Sequence, residues 1–135
     1  LDVGERFALE LGAVRIRVEA LEGDWDMAAS FGDQETVART RAAVHDALHR
    51  LTETAEKRFY DVLILDEIVF CLAHGLASLE DVRRLIERRD RAVEIVLTGR
   101  SAPPELVEMA DLVTEMKKIK HPFDNGVGAR RGIDY

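Results

Sequence analysis

With 135 residues, 47% hydrophobic and 33% charged, the chain has a globular composition and enough apolar material for a core. A formal net charge of −7 argues against nucleic acid or an anionic membrane held by bulk electrostatics. Cys71, the single cysteine, leaves no intrachain disulfide and fits a reducing, cytoplasmic compartment, and no apolar run approaches the roughly 20 residues that cross a bilayer.

In chain order, residues 1–11 have helical periodicity and stop at Gly12, a suitable C-cap. Residues 13–19 alternate apolar and charged side chains, which predicts a half-exposed strand. Residues 22–33, with Gly23, Gly32 and several aspartates, read as a loop that contains Trp25. A long amphipathic helix is predicted from about Gln34 to Lys57, its stripe formed by Val37, Val44, Leu48, Leu51 and Ala55. Val62–Leu65 reads as a strand buried on both faces, and a short helix follows at Ile68–Ala73, with Cys71 filling core beside Phe70. Ser78 with Asp81 predicts a capping box for a helix over Leu79–Arg88. A strand over Ala92–Thr98 leads to a turn, a helix from Pro104 to near Ala110 and a last short strand over Asp111–Met116. Residues 117–135 are rich in glycine and polar residues and read as an ordered tail. Strands alternating with helices predict an α/β domain with a mainly parallel sheet and helices on both faces, spanning residues 1–135 as one domain.

The chemistry gathers at strand ends. The run Asp-Val-Leu-Ile-Leu-Asp-Glu carries Asp66 and Glu67 directly after the aliphatics. Unpaired charges are costly in a dry interior, so the pair either marks where the strand surfaces or holds something cationic. An aliphatic strand ending in Asp-Glu has the form of a Walker B element, whose carboxylate serves the Mg²⁺ on nucleotide phosphates. Thr98, Gly99 and Arg100 end the next strand and open into the same crevice. Gly99 allows close backbone approach and Arg100 suits a phosphate, the alternative being a glycine turn with a surface arginine. His45 and His49 are four apart, but Asp46 stands where a metalloprotease helix needs glutamate, so they read as solvated helix positions. The arginines between Arg83 and Arg91 are offset by Glu80, Asp81, Glu87 and Asp90 and read as a solvated face. Trp25 is either partly buried under its loop or a ligand platform. No Gly-x-x-x-x-Gly-Lys-Ser/Thr loop occurs in these residues.

Taken together, Asp-Val-Leu-Ile-Leu-Asp-Glu, Leu-Glu-Asp-Val, the stretch from Val-Leu-Thr-Gly-Arg to Val-Thr-Glu-Met, Lys-His-Pro-Phe-Asp-Asn-Gly-Val and the closing Gly-Ile-Asp-Tyr resemble the P-loop-type ATP:corrinoid adenosyltransferases in order and spacing. The resemblance covers this chain and about the last two-thirds of the family's. It implies a three-layer, RecA-like P-loop NTPase fold with a mainly parallel sheet, here without the N-terminal P-loop unit. It also implies ATP and a cob(I)alamin-type corrinoid as substrates, Mg²⁺ (or Mn²⁺) as cofactor, release of triphosphate, a flavodoxin-like reductant and a homodimer. By the same resemblance Glu67 is the direct metal ligand with Asp66 in support. Trp25, Thr98, Gly99, Arg100, His121, Phe123 and Asp124 fall at binding positions. Gly23 stands where the family's aromatic loop has phenylalanine, and Gly128 where lysine is usual. Because the family places its phosphate loop upstream of Leu1, the expectation is a part of a larger enzyme that does not catalyse the transfer alone. The alternative is a non-catalytic relative that binds corrinoid or a partner protein through the Trp25 loop and tail. A RecA-like motor shares the fold but leaves the Thr-Gly-Arg and His-Pro-Phe-Asp segments unaccounted for.

Overall fold

The computed structural model describes residues 16–21 and 32–130. Helix α1 (Gln34–Glu56) starts where Asp33 accepts the Glu35 N–H at 3.1 Å, meeting a backbone donor that the first turn leaves unpaired, and also accepts the Thr36 hydroxyl at 2.5 Å. Its buried stripe is Val44, Leu48, Thr52 and Ala55. Thr52 is tolerated there because its hydroxyl donates to the Leu48 carbonyl at 2.8 Å. Strand β1 (Val62–Leu65) and the one-and-a-half-turn helix α2 (Ile68–Ala73) follow. Helix α3 (Leu79–Arg88), strand β2 (Glu94–Leu97) and helix α4 (Pro104–Met109) complete the unit that spans Leu21–Val113. A short 3₁₀ helix at Pro122–Asn125 lies in the second unit, which groups the described parts of Leu1–Ala20 and Thr114–Tyr135.

The strands pair in parallel, Val62 opposite Glu94 through Leu65 opposite Leu97, and form a two-stranded sheet among the described residues. Parallel pairing requires a crossover, and α2 and α3 provide it. Helices α1 and α3 pack together. Val82 and Leu85 are fully buried, in one cluster with Val44, Leu48, Leu63, Leu65, Ile68 and Leu106. Each such side chain contributes about 1.5–3 kcal/mol through burial, so this seam is the main apolar support of the sheet. At the foot of α3, Arg88 pairs with Glu56 at 2.7 Å, and Arg89 donates to the Val93 and Ile86 carbonyls.

Several sequence expectations need correction. Strand β1 is buried on one face only: Leu63 and Leu65 face the core, while Val62 and Ile64 are 51% and 67% exposed. A run of four aliphatics does not reveal how many faces are covered. Strand β2 is shorter than Ala92–Thr98. Residues 111–116 form no strand, and Leu112 and Met116 are 85% and 94% exposed; a strand exists through its pairing, and this segment has no partner among the described residues. Residues 16–19 are likewise not in a strand, and the remainder of that expected strand and the helix over 1–11 lie outside the described residues. The Ser78 hydroxyl caps α3 through the Glu80 N–H at 3.2 Å. Asp81 does not close the box, because its carboxylate meets His45 at 2.8 Å and Arg84 at 3.4 Å.

Candidate functional site

Because β1 and β2 are parallel and in register, their carboxyl ends finish side by side, with Leu65 opposite Leu97. The chain then delivers Asp66 and Glu67 from one strand and Thr98, Gly99 and Arg100 from the other to the same rim. Asp66, Glu67, Gly99 and Arg100 are exposed there, and Thr98 is half-buried between them. The rim is closed by a small network. The Thr98 hydroxyl donates to Asp66 Oδ1 at 2.5 Å and accepts the Glu67 backbone N–H at 3.0 Å. The Thr98 N–H donates to the Leu65 carbonyl at 3.2 Å, and the Val69 N–H donates to the Thr98 carbonyl at 3.1 Å.

The backbone is unusual at this edge. Glu67 has φ 59° and ψ 13°, and Ser101 has φ 61°, left-handed conformations that cost a non-glycine residue about 1–3 kcal/mol and tend to cluster at functional sites. Gly99 has φ 136°, and a Cβ there would lie 2.8 Å from the Phe70 nitrogen and 2.9 Å from the Val69 Cβ. Only glycine lets the end of β2 lie against the start of α2.

The structure therefore brings together five of the residues singled out in the sequence. Two adjacent carboxylates are a donor set suited to Mg²⁺, which takes one or two carboxylates and fills its remaining positions with water and phosphate oxygens. One oxygen of Asp66 is already engaged by Thr98, which leaves Glu67 the less encumbered of the pair. Arg100, exposed and with no ionic partner among the described residues, is available to an anion. On the core side of the rim, burial raises the Cys71 thiol above its ordinary value, with Glu67 adding to the shift, so it stays protonated near neutrality.

His121, Phe123 and Asp124 belong to the other unit. His121 Nδ1 accepts the Phe123 N–H at 3.1 Å, capping the 3₁₀ turn, and Asp124 holds Lys118 Nζ through both oxygens at 2.8 and 2.9 Å. Phe123 is 71% exposed. Trp25 and Gly23 lie outside the described residues. His45 pairs with Asp81, and His49 Nδ1 stands 3.9 Å from Glu53. A depression of about 370 Å³ lined by Arg41, His45, Ser78 and Asp81 lies between α1 and α3, away from the rim. The bridging role of the Thr98 hydroxyl was not legible in the sequence, because it depends on strand register.

A family model described as ATP:corrinoid adenosyltransferase BtuR/CobO/CobP matches residues 1–135. The chain is 33% identical over 132 residues to a protein of Escherichia coli K12 named corrinoid adenosyltransferase, covering 98% of this chain and 64% of that protein. It is 32% identical over 132 residues to the corrinoid adenosyltransferase CobA of Salmonella typhimurium, with the same coverage. A Sinorhizobium corrinoid adenosyltransferase is 36% identical over 99 residues, 73% of this chain and 46% of that protein. The chain thus spans just under two-thirds of the length of the Escherichia and Salmonella relatives it matches.

Proposed function

The chain belongs to the ATP:corrinoid adenosyltransferase family, and from that premise we propose that it serves transfer of the 5′-deoxyadenosyl group of ATP to a cob(I)alamin-type corrinoid, in cobalamin biosynthesis or salvage. In this reaction the cobalt–C5′ bond forms as the C5′–oxygen bond breaks, and the electron pair of the broken bond leaves with triphosphate. Catalysis of such a displacement is chiefly a matter of position: the reacting atoms must be held in line and in contact. A divalent cation bound at the rim would supply charge neutralisation for the departing triphosphate. Glu67 is the residue that would ligate it directly, with Asp66, held by Thr98, in support. Arg100 contacts phosphate oxygens, and Gly99 seats the turn that carries it against the start of α2. Trp25, His121, Phe123 and Asp124 contribute to binding the corrinoid and nucleotide. The reading includes a RecA-like P-loop NTPase fold for the whole protein, a cytoplasmic location, a homodimer and a flavodoxin-like reductant.

One observation supports this reading above the others. The Asp66–Thr98 hydrogen bond joins the Asp-Glu pair to the Thr-Gly-Arg turn at one rim, in a chain of this family. The test uses the protein expressed from its whole coding sequence, with ATP, Mg²⁺ and chemically reduced cobalamin, following disappearance of the cob(I)alamin absorbance. Transfer is expected, abolished by chelation and lowered about 100-fold or more by Glu67→Gln. A rate indifferent to both chelator and substitution would remove the metal site from the mechanism. Corrinoid binding without transfer would favour the non-catalytic alternative.

A further inference from the structure

We infer that Thr98 is a positioning residue for the acidic pair and not a phosphate ligand, an inference that rests on the function proposed above and assigns a specific task within that site. The family resemblance groups Thr98 with Gly99 and Arg100 at a binding position, but its hydroxyl is already committed within the protein. A threonine hydroxyl has one proton and two acceptor lone pairs. Here the proton is donated to Asp66 Oδ1 and one lone pair receives the Glu67 N–H. Phosphate oxygens need donors, and the hydroxyl has no second proton to offer. The main chain of Thr98 is committed to the same turn, its N–H to Leu65 and its carbonyl to Val69. All four bonds converge on residues 65–69, the segment that places the two carboxylates.

The consequences for each carboxylate differ. Asp66 is fixed in one rotamer with Oδ1 engaged, so Oδ2 is the oxygen left to face a cation or its water. Glu67 is stabilised in its left-handed conformation, which redirects the chain from β1 into α2 and sets the direction of its side chain. Charge-assisted bonds such as that to Asp66 are the stronger kind and hold geometry well. Thr98 therefore acts on the metal through both neighbours while touching neither metal nor nucleotide. Outer-shell partners of this type change metal affinity by about 10–100-fold when removed.

The test compares Thr98→Val, Thr98→Ser and the parent, each expressed from the whole coding sequence. Two affinities are measured: that of Mn²⁺ in the presence of ATP, by electron paramagnetic resonance, and that of ATP in chelator without metal. Thr98→Val is expected to weaken Mn²⁺ about 10-fold or more and to leave the metal-free ATP affinity unchanged. Thr98→Ser, which keeps the hydroxyl, is expected to restore the Mn²⁺ affinity. Loss of metal-free ATP affinity in Thr98→Val would make Thr98 a nucleotide contact and overturn the assignment, as would an unchanged Mn²⁺ affinity. Should Thr98→Val not fold, Thr98→Cys supports the same comparison, since a thiol is a weak donor and weak acceptor of similar size. A parent that binds ATP with no metal dependence would overturn the proposed site itself, and the positioning role with it; a metal-dependent parent with an unaffected valine variant would overturn only the latter.

Discussion

Gly99 shows how one residue can decide whether two segments meet. Its φ of 136° and the 2.8 Å separation of a built Cβ from the Phe70 nitrogen leave no room for a side chain, and the opposing atom is backbone that cannot rotate away. Gly99→Ala is expected to lower unfolding free energy by about 2 kcal/mol or more, read from the urea midpoint at unchanged m-value. A substitution that left the midpoint in place would show that β2 and α2 do not touch as described. The presence of glycine at this position is plain in the sequence, as is its neighbour Arg100. What the sequence does not disclose is the atom that Gly99 must avoid, since Phe70 is distant in the chain and meets it only through the turn at Glu67.

At the scale of elements, α1 and α3 were legible almost to the residue, because both have apolar stripes of helical period and polar N-caps. Their mutual packing is testable through Leu85, which is fully buried against the seam. Leu85→Ala is expected to cost about 3 kcal/mol, within the usual range for a buried leucine whose surroundings relax only partly, and chemical denaturation would measure it. The N-cap of α1 adds a pH dependence. The Thr36 hydroxyl, and then the Glu35 N–H, hold the Asp33 carboxyl below its ordinary value of 3.8. A carboxyl depressed in the folded state stabilises fully above its unfolded-state value, and that contribution disappears as pH falls through the lower folded value. Asp33→Ala is accordingly expected to reduce the thermal midpoint at neutral pH and to match the parent in strong acid; a difference that persisted in acid would assign the effect to packing. The expected strand over Asp111–Met116 failed for the opposite reason: a short run of mixed apolar and polar residues has no periodicity to hold it, and a strand needs a partner that the run does not specify.

For the whole molecule, the described residues divide between a helix-and-strand unit within Leu21–Val113 and a second unit that includes the segment after Thr114. Residues 111–130 are exposed throughout and hold only a 3₁₀ turn, with the Lys118–Asp124 pair as a local tie. Surface ion pairs of this kind contribute little. Limited trypsin digestion is thus expected to cut first after Lys117, Lys118 or Lys120, leaving α1 to α4 intact in mass spectra, because proteolysis favours backbone without secondary-structure hydrogen bonds. Early cleavage within α1 would instead show that the helix opens before the exposed segment after Val113.

Helices α1 to α4, strand β1, the family resemblance and the residues at the strand ends were readable from the amino-acid order, because helical period, capping side chains and aliphatic runs act over a few neighbouring positions. Tertiary structure alone decided that Val62 and Ile64 are exposed, that Asp81 turns to His45, and that Thr98 bridges Asp66 and Glu67. Each of these depends on which element lies alongside another, and strand register, which moves every side chain by a face with a one-residue slip, is set by packing between segments about 30 residues apart.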